Sequence, residues 1–373
     1  MNKIVCAIVA CLLVSSESET HGHQLFRSPT RTSCNRLYEC NGTRFVGRSR
    51  EDQDNRVINS QFRPDTQYTV QRSHATLAMV DGPVNTPLLL CQPSILQDNS
   101  KQITNFDFRS QDERSTSVCE FGHAESVSYR AFTKRYQDGQ HLLMNLVILS
   151  MKNQLYVESG KDYNAFTTAD MSSYVQRIET ALEWIADHAD EYNITPVNLS
   201  FVDGREHTKP LGSTPKLTSV LQILRQKGIW VNSPTWNHCK VCNTVGDSFF
   251  KCKDLNTNCK NGIGFPAIEK NVVAVGCVVE RRKGGRLSVF GSRHPKVGML
   301  LAKGKWTSSC SAAVARGAFL LREILDQRGP VEKSQVVKRI HNALIGTGRP
   351  VWDTSTHVYN AIDVRRAIQK LSS

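Results

Sequence analysis

Short apolar runs alternate with amphipathic segments along most of the chain. Runs typical of buried strands cover 76–80, 145–151, 196–202, 229–233 and 272–279. Apolar residues recur at helical spacing in 171–189 and 217–228, and a third helix is predicted from about 308 to Asp326. Strands that alternate with helices indicate a mostly parallel sheet with helices on both faces. We therefore expect one α/β domain over 71–373.

The N-terminus has a different pattern. Residues 1–18 hold one Lys, an apolar run from Ile4 to Val14 and then small residues, which is typical of a secretory signal peptide and too short to span a bilayer. Residues 19–70 are polar, Arg-rich and without periodicity, so we expect an irregular arm. No later segment is apolar enough for a membrane helix. These patterns predict a secreted, extracellular monomer without a membrane partner.

Secretion changes how the cysteines are interpreted. The ten that follow the predicted signal peptide are residues 34, 40, 91, 119, 239, 242, 252, 259, 277 and 310. An even number in an oxidising compartment favours disulfides, with connectivity left open. Cys277 lies in an apolar run and Cys310 in a predicted helix, so a free, buried state is the alternative for these two.

The Cys-rich stretch 238–260 interrupts the α/β pattern as an insertion. Cys239, Cys242, Cys252 and Cys259, beside His238, have a spacing that a zinc site would also use. In a secreted chain we favour two disulfides over zinc. The sequence predicts no cofactor and no metal in the functional site, and structural calcium stays open.

Charge and glycosylation signals add little about function. The net charge of +13 comes from Lys and Arg scattered along the chain, without a nucleic-acid-binding motif, so no nucleic-acid partner is expected. Sequons at Asn41, Asn193 and Asn198 predict a glycoprotein in a eukaryotic host. Asn198 is the least favoured of the three because it lies inside a predicted strand.

Polar residues that could carry chemistry follow several of the predicted strands. In open α/β sheets, functional groups collect at the carboxyl ends of the strands. Asp81, Ser200 and Asn237 occupy such places, and Ser308 lies at the start of a helix. Unpaired N–H groups and the helix dipole at that start favour a developing anion. Each residue also has a structural interpretation: Asp81-Gly-Pro as a turn, Asn237 as a turn residue and Ser308 as a helix cap.

The order of several motifs resembles the subtilisin-like serine proteases. The segment 265–279 (FPAIEKNVVAVGCVV) is similar to the family strand that reads NVIAVGAV, and 307–321 (TSSCSAAVARGAFLL) is similar to GTSMAAPHVAGAAALL. Further likenesses lie at 76–82, 181–204, 228–237, 290–304 and 357–368, so the resemblance covers about 75–368 in order. No single motif is intact. The resemblance implies the family's three-layer α/β fold and hydrolysis of peptide bonds in a peptide or protein substrate.

The resemblance also assigns roles. Ser308 falls on the nucleophile, Asn237 on the oxyanion-hole amide and Asp81 on the carboxylate that orients the base. His123 in GHAESV is the candidate base, and its distance along the chain to the next strand suits the family. The rival motif DGQHL places Asp138 at the base position, too close to that strand.

The substrate-binding residues depart from the family pattern. Ser200, Phe201 and Val202 fall on the edge along which an extended substrate would pair, with Val202 in place of a Gly. Trp236 and Trp306 replace glycines that leave room beside the substrate and the nucleophile. The alternative function is therefore a catalytically weak or inactive homologue that binds a peptide or a partner protein.

Overall fold

The computed structural model describes thirteen stretches of the chain. They are residues 75–82, 101–107, 123–132, 141–147, 168–203, 207–211, 214–237, 262–281, 284–287, 291–294, 297–304, 306–353 and 357–373. The predicted signal peptide, the N-terminal arm, the insertion 238–260 and the sequon at Asn41 lie outside the described residues. So do Asp138 and every cysteine after the signal peptide except Cys277 and Cys310.

The described strands form a single sheet. They are β1 (Thr76–Asp81), β2 (Lys101–Asp107), β3 (His141–Val147), β4 (Ile194–Leu199), β5 (Trp230–Pro234), β6 (Val273–Arg281), β7 (Gly284–Leu287), β8 (Leu300–Lys303), β9 (Arg349–Trp352) and β10 (Val358–Ala361). Their order across the sheet is β2-β3-β1-β4-β5-β6-β8-β10-β9, with β7 paired to β6. Neighbours from β2 to β10 are parallel, whereas β9 and β7 run antiparallel to their partners.

Helices cover both faces of this sheet. They are α1 (His123–Phe132), α2 (Thr168–His188), α3 (Pro215–Gln226), α4 (Thr307–Gln327), α5 (Lys333–Thr347) and α6 (Val364–Ser372). One cluster of buried side chains joins α1, α4, α5 and α6 to one face, and a second cluster joins α2 and α3 to the other. The result is the mostly parallel, three-layer α/β architecture that the sequence predicted.

Strand β1 shows how the sequence assigns side chains to the two layers. Leu77 and Met79 belong to the first cluster, whereas Ala78 and Val80 belong to the second. This alternation follows from the two-residue period of a strand, and both sets are apolar because a parallel sheet is buried on both faces. Asp81 follows the parity of Leu77 and Met79, so its carboxylate lies on the side of α1 and α4.

Local signals explain where two helices begin. At α3 the side chain of Thr214 accepts a hydrogen bond from the Leu217 N–H at 3.1 Å, and Pro215 occupies the first turn. Helix α4 begins after Trp306, which makes no side-chain capping bond. Its Ala-rich sequence suits its place between the sheet and three other helices, where most of its residues are buried.

Two predicted strands have different bounds in the structure. The strand expected at 145–151 begins earlier, at His141, because the parallel register pairs 142–147 with β1; residues 148–151 lie outside the described residues. The strand expected at 196–202 ends at Leu199, and residues 200–203 leave the sheet. Asp203 instead donates its N–H to the Phe265 carbonyl at 2.9 Å.

The alternative of free, buried cysteines at 277 and 310 is wrong, although both are buried. Cys277 of β6 and Cys310 of α4 form a disulfide, with their Cα atoms 5.7 Å apart. Cys277 pairs in register with Ala302 of β8, just before the short connection into α4. The bond therefore ties the first turns of α4 to the strand beneath them.

The structure also bears on two of the sequons and on the absence of a predicted membrane helix. The Asn198 side chain is fully buried, in agreement with its place as the least favoured sequon, whereas Asn193 is exposed. Over the described ranges, no helix is long and apolar enough to cross a membrane.

Candidate active site

Five predicted site positions lie at one rim of the sheet. Asp81 is the last residue of β1, Ser200 follows β4, and Asn237 follows β5 by three residues. His123 is the first residue of α1, and Ser308 lies in the first turn of α4. Because β1, β4 and β5 are parallel, their carboxyl ends share this rim, and α1 and α4 pack against each other on one side of it.

Asp81 and His123 form an ion pair or hydrogen bond at this rim. The His123 Nδ1 atom lies 3.1 Å from Asp81 Oδ1 and 3.2 Å from Asp81 Oδ2. The Asp81 side chain is fully buried, and the backbone N–H of Gly82 donates to its Oδ1 at 2.6 Å. The imidazole is 21% exposed. A carboxylate on Nδ1 orients the ring and leaves Nε2 on its other side for proton transfer.

Two aromatic residues lie near this pair. The ring of Phe201 packs on the His123 imidazole, with centroids 4.6 Å apart and planes inclined by 50°. Tyr174 of α2 is buried near the carboxylates of Asp81 and Asp203. Burial raises the pKa of Tyr174 well above its usual value, and the two negative charges add to this effect. The phenol therefore stays neutral beneath the rim.

Asn237 is held by the residue that precedes the candidate nucleophile. Its Oδ1 accepts hydrogen bonds from the Thr307 N–H and from the Thr307 hydroxyl, both at 2.9 Å. With the carbonyl oxygen engaged twice, the Nδ2 amide is the part of the side chain left to donate. Asn237 is only half-buried. The N–H groups in the first turn of α4 have no acceptors within the helix. The Asn237 side chain is therefore fixed at the residue next to Ser308.

Ser308 and His123 are not hydrogen-bonded to each other in the part of the chain that the structure describes. Ser308 is buried at the start of α4, and α4 packs against α1, which begins at His123. Hydrogen bonds between a nucleophile and its base are often long before substrate binds. The structure thus brings the carboxylate and the imidazole together, and places the alcohol at the start of the neighbouring helix, where Thr307 holds the Asn237 side chain.

A buried polar network beneath the rim was missed by the sequence reasoning. The Asn232 amide donates to Asn198 Oδ1 at 2.8 Å and to the Ser311 hydroxyl at 2.7 Å, and Trp230 Nε1 donates to Asn232 Oδ1 at 2.9 Å. The Ser311 hydroxyl donates to Asn198 Oδ1 at 2.7 Å, and the Asn198 amide donates to the Ser200 hydroxyl. Asparagines at inward strand positions were the available signal. The network links β4 and β5 to the first turns of α4.

The residues predicted to bind substrate are distributed along the rim. The Ser200 hydroxyl is turned inward to Asn198, while its N–H donates to the Val80 carbonyl at 3.2 Å. Phe201 contacts His123, and Val202 is half-buried. Trp236 is buried, and Trp306, immediately before α4, is half-buried.

A second carboxylate–imidazole pair lies just beyond Val202. Asp203 Oδ2 is 2.6 Å from His207 Nε2, and Asp203 Oδ1 accepts the Phe265 N–H at 2.9 Å. This pair joins the segment after β4 to the segment before β6. Among the described residues, no group of three or more His, Cys, Asp or Glu side chains is arranged to hold a metal ion.

Several solved structures share this architecture. A lanthipeptide protease superposes with a TM-score of 0.53 and 13% identity, over 81% of this chain and 89% of that chain. The prenylagaramide maturation protease PagA gives 0.52 and 16%, over 85% and 98%. MycP1 from Mycobacterium smegmatis gives 0.52 and 17%, over 85% and 83%. No protein-family model matches the sequence, and no curated protein matches it.

At these identities the likeness concerns the fold. The neighbours are subtilisin-like proteases. Their similarity covers 81–85% of this chain. The chain therefore has the subtilisin-like fold, as the resemblance predicted.

Proposed function

We propose that this protein is a secreted serine endopeptidase of the subtilisin type, with Ser308 as nucleophile, His123 as base, Asp81 as its partner and Asn237 in the oxyanion hole. The observation that carries the proposal is the contact of His123 Nδ1 with the buried Asp81 carboxylate, at the rim where α4 presents Ser308. The two residues come from elements far apart in sequence. Only the fold brings them together.

The arrangement suits acyl transfer. The Ser308 oxygen forms a bond to the carbonyl carbon of the scissile peptide, and its proton passes to His123 Nε2. Breaking the carbon–nitrogen bond then releases the amine, which takes that proton from the imidazole and leaves an ester on Ser308. Water then attacks the ester and gives a proton to His123; the bond from the acyl carbon to the Ser308 oxygen breaks, the imidazolium returns the proton to that oxygen, and the carboxylic acid is released. Asp81 stabilises the imidazolium in both steps.

Negative charge develops on the carbonyl oxygen during each step. The Asn237 amide can donate to this oxygen because Thr307 already occupies its Oδ1. The backbone N–H of Ser308 supplies a second donor at the positive end of the α4 dipole. Loss of one such side-chain donor costs on the order of 10²–10³-fold in kcat.

The disulfide supports the secreted part of the proposal. Cys277 and Cys310 are joined in the core of the domain, and structural disulfides persist in oxidising compartments. Secretion is tested by finding the protein outside cells that express the full chain, with its N-terminus cleaved near residue 18. Retention of the full-length chain inside the cell would contradict it.

The second candidate function is a peptide-binding protein that does not hydrolyse its ligand. Two observations favour it: Ser308 and His123 share no hydrogen bond among the described residues, and Trp306 lies two residues before Ser308 at the start of α4. In this case the rim would hold an extended peptide without reacting. The two functions differ in whether the Ser308 hydroxyl is activated.

Labelling with a fluorophosphonate separates the two functions. We expect the folded protein to acquire one covalent adduct at Ser308, which mass spectrometry locates. The Ser308→Ala variant should acquire no adduct. Ser309→Ala is the matched control, since it removes the adjacent hydroxyl and should label normally. Asp81→Asn should label on the order of 10⁴-fold more slowly, because the imidazole loses its orienting carboxylate. A folded protein that binds peptides without labelling supports the second function.

A further inference from the structure

Three chain segments surround the place where a substrate side chain would enter next to Ser308. In the proposed function, a scissile carbonyl held between Ser308 and the Asn237 amide would lie beside the segment 235–237, and an extended substrate backbone would follow the edge at 200–202. The side chain of the residue before the scissile bond is attached one bond from that carbonyl. It is therefore directed between these two segments, and its space is set by what lies there.

The third segment, 263–265, closes the far end of this gap. The Gly264 N–H donates to the Thr235 carbonyl at 3.0 Å, and the Asp203 N–H donates to the Phe265 carbonyl at 2.9 Å. The Asp203 carboxylate also accepts the Phe265 N–H. Hydrogen bonds thus hold the two walls to one floor, so the gap cannot widen without breaking them.

Val202 is packed directly on that floor. A β-carbon at Gly264 would lie 2.7 Å from Val202 Cβ, 3.0 Å from its Cγ1 and 3.3 Å from its Cγ2. Such distances are too short for real side-chain contacts, so the isopropyl group of Val202 already occupies the space above Gly264. A glycine is required at 264 because Val202 fills this position.

Trp236 belongs to the opposite wall, directly before Asn237. It is only 7% exposed, although it belongs to neither cluster of core side chains among the described residues. Its φ of 98° lies in the region that favours glycine, and its carbonyl accepts the Ser292 N–H at 2.9 Å. An indole held in a strained backbone conformation beside a catalytic amide is a feature of functional sites.

We infer that the specificity pocket of this protein is closed by Val202 and Trp236, so that it accepts only substrates with glycine or alanine before the scissile bond. This inference rests on the proposed function and names its substrate class. A side chain no larger than a methyl group needs no space between the walls. A leucine or phenylalanine would have to displace an isopropyl group and an indole that are already packed.

Matched peptidyl phosphonates test the inference on the intact protein. Probes with the same peptide part, and with glycine, alanine, leucine or phenylalanine before the phosphonate, report how each side chain fits while Ser308 is labelled. We expect the alanine probe to label at least 100-fold faster than the phenylalanine probe. In Trp236→Gly, and separately in Val202→Gly, the ratio of the phenylalanine rate to the alanine rate should rise at least tenfold.

Controls separate the pocket from stability and from catalysis. Trp352→Ala removes a tryptophan that is 70% exposed and distant from the rim, and it should leave the preference unchanged. Thermal unfolding of each variant shows whether it is folded, and Val202→Ala serves if the glycine variant is not. Binding of unreactive peptides to Ser308→Ala should show the same order, with alanine tighter than phenylalanine.

The outcomes are distinct. Equal or faster labelling by the phenylalanine probe would overturn the closed pocket while leaving the proposed function intact. No labelling by any probe, including a fluorophosphonate without a side chain, would overturn the proposed function. In that event, tighter binding of alanine peptides to Ser308→Ala still supports the closed pocket, and equal binding of phenylalanine peptides refutes it.

Discussion

Removing the disulfide between Cys277 and Cys310 should cost a large part of the stability of this domain. The bond closes a loop with a sequence separation of 33 residues. For a loop of this size, the lost constraint on the unfolded chain corresponds to about 4 kcal/mol at 25 °C. Domains are typically stable by roughly 5–15 kcal/mol. The double variant Cys277→Ala, Cys310→Ala should therefore be folded but close to its limit.

Urea unfolding at neutral pH measures this loss. The two single variants also lack the bond, so each should lose nearly as much unfolding free energy as the double variant. The small difference between a single and the double variant then reports only the packing of one sulfur. If the two single losses instead add up to the double loss, the effect comes from packing and the cross-link contributes nothing. A loss below about 1 kcal/mol in the double variant, without a change in the urea slope, would also refute the reasoning.

The same variant tests whether the bond positions the nucleophile. Cys310 follows Ser308 by two residues, and α4 begins without a side-chain cap from Trp306. We expect amide hydrogen exchange in residues 307–311 to quicken more than in α5, which the bond does not touch. Equal acceleration throughout would assign the bond to global stability alone. This measurement does not depend on proteolytic activity.

Three further predictions concern the polar network, a close contact and one half-buried histidine. Asn232→Leu should lower the unfolding free energy by about 3 kcal/mol, because it leaves several buried polar groups without a hydrogen-bond partner. Ser311→Ala should lower it by only about 1 kcal/mol, since Asn198 and Asn232 stay bonded to each other. Equal losses of stability in urea unfolding would contradict the network. Gly304→Ala should cost roughly 1–3 kcal/mol in urea unfolding, since its Cβ would lie 2.7 Å from Cys310 Sγ. Gly298→Ala, whose Cβ would lie within 4 Å of no described residue other than its chain neighbours, should cost far less, and similar losses would argue against the contact. Burial lowers the pKa of His341, and the charge of Arg225 lowers it further. As the pH falls below about 6.5, this histidine takes up a proton in the unfolded chain before it does so in the folded protein, so the stability of the folded state drops. His341→Gln should flatten that drop in unfolding measured against pH, and an unchanged slope would exclude this histidine as its source.

Elements with strong periodicity were predictable from sequence, and those fixed by tertiary contacts were not. The spacing of apolar residues in α2 and the apolar run of β6 were sufficient to place these elements to within a few residues. Strand β2 (KQITNFD) is too polar for such recognition. It exists as the edge partner of β3, so only pairing reveals it. The early end of β4 depends in turn on Asp203 bonding to Phe265, 62 residues away along the chain.

The site was predictable only in part for the same reason. The order of motifs suggested Asp81 and His123, and the structure places them in contact. Whether they act with Ser308 stays a prediction that labelling tests. The packing of Phe201 on the imidazole and the double hydrogen bond from Thr307 to Asn237 leave no pattern in sequence. Such contacts depend on how separate elements meet in space.

The alternation of side chains in β1 constrains how the gene for this protein can change. Asp81 reaches the helices that carry His123 and Ser308 because its position along the strand differs from those of Leu77 and Met79 by an even number. An insertion or deletion of one codon inside this strand would turn the carboxylate toward α2 and α3, on the far side of the sheet. Changes of two codons would preserve its direction. Length variation among descendants of this gene should therefore avoid odd steps in that short segment.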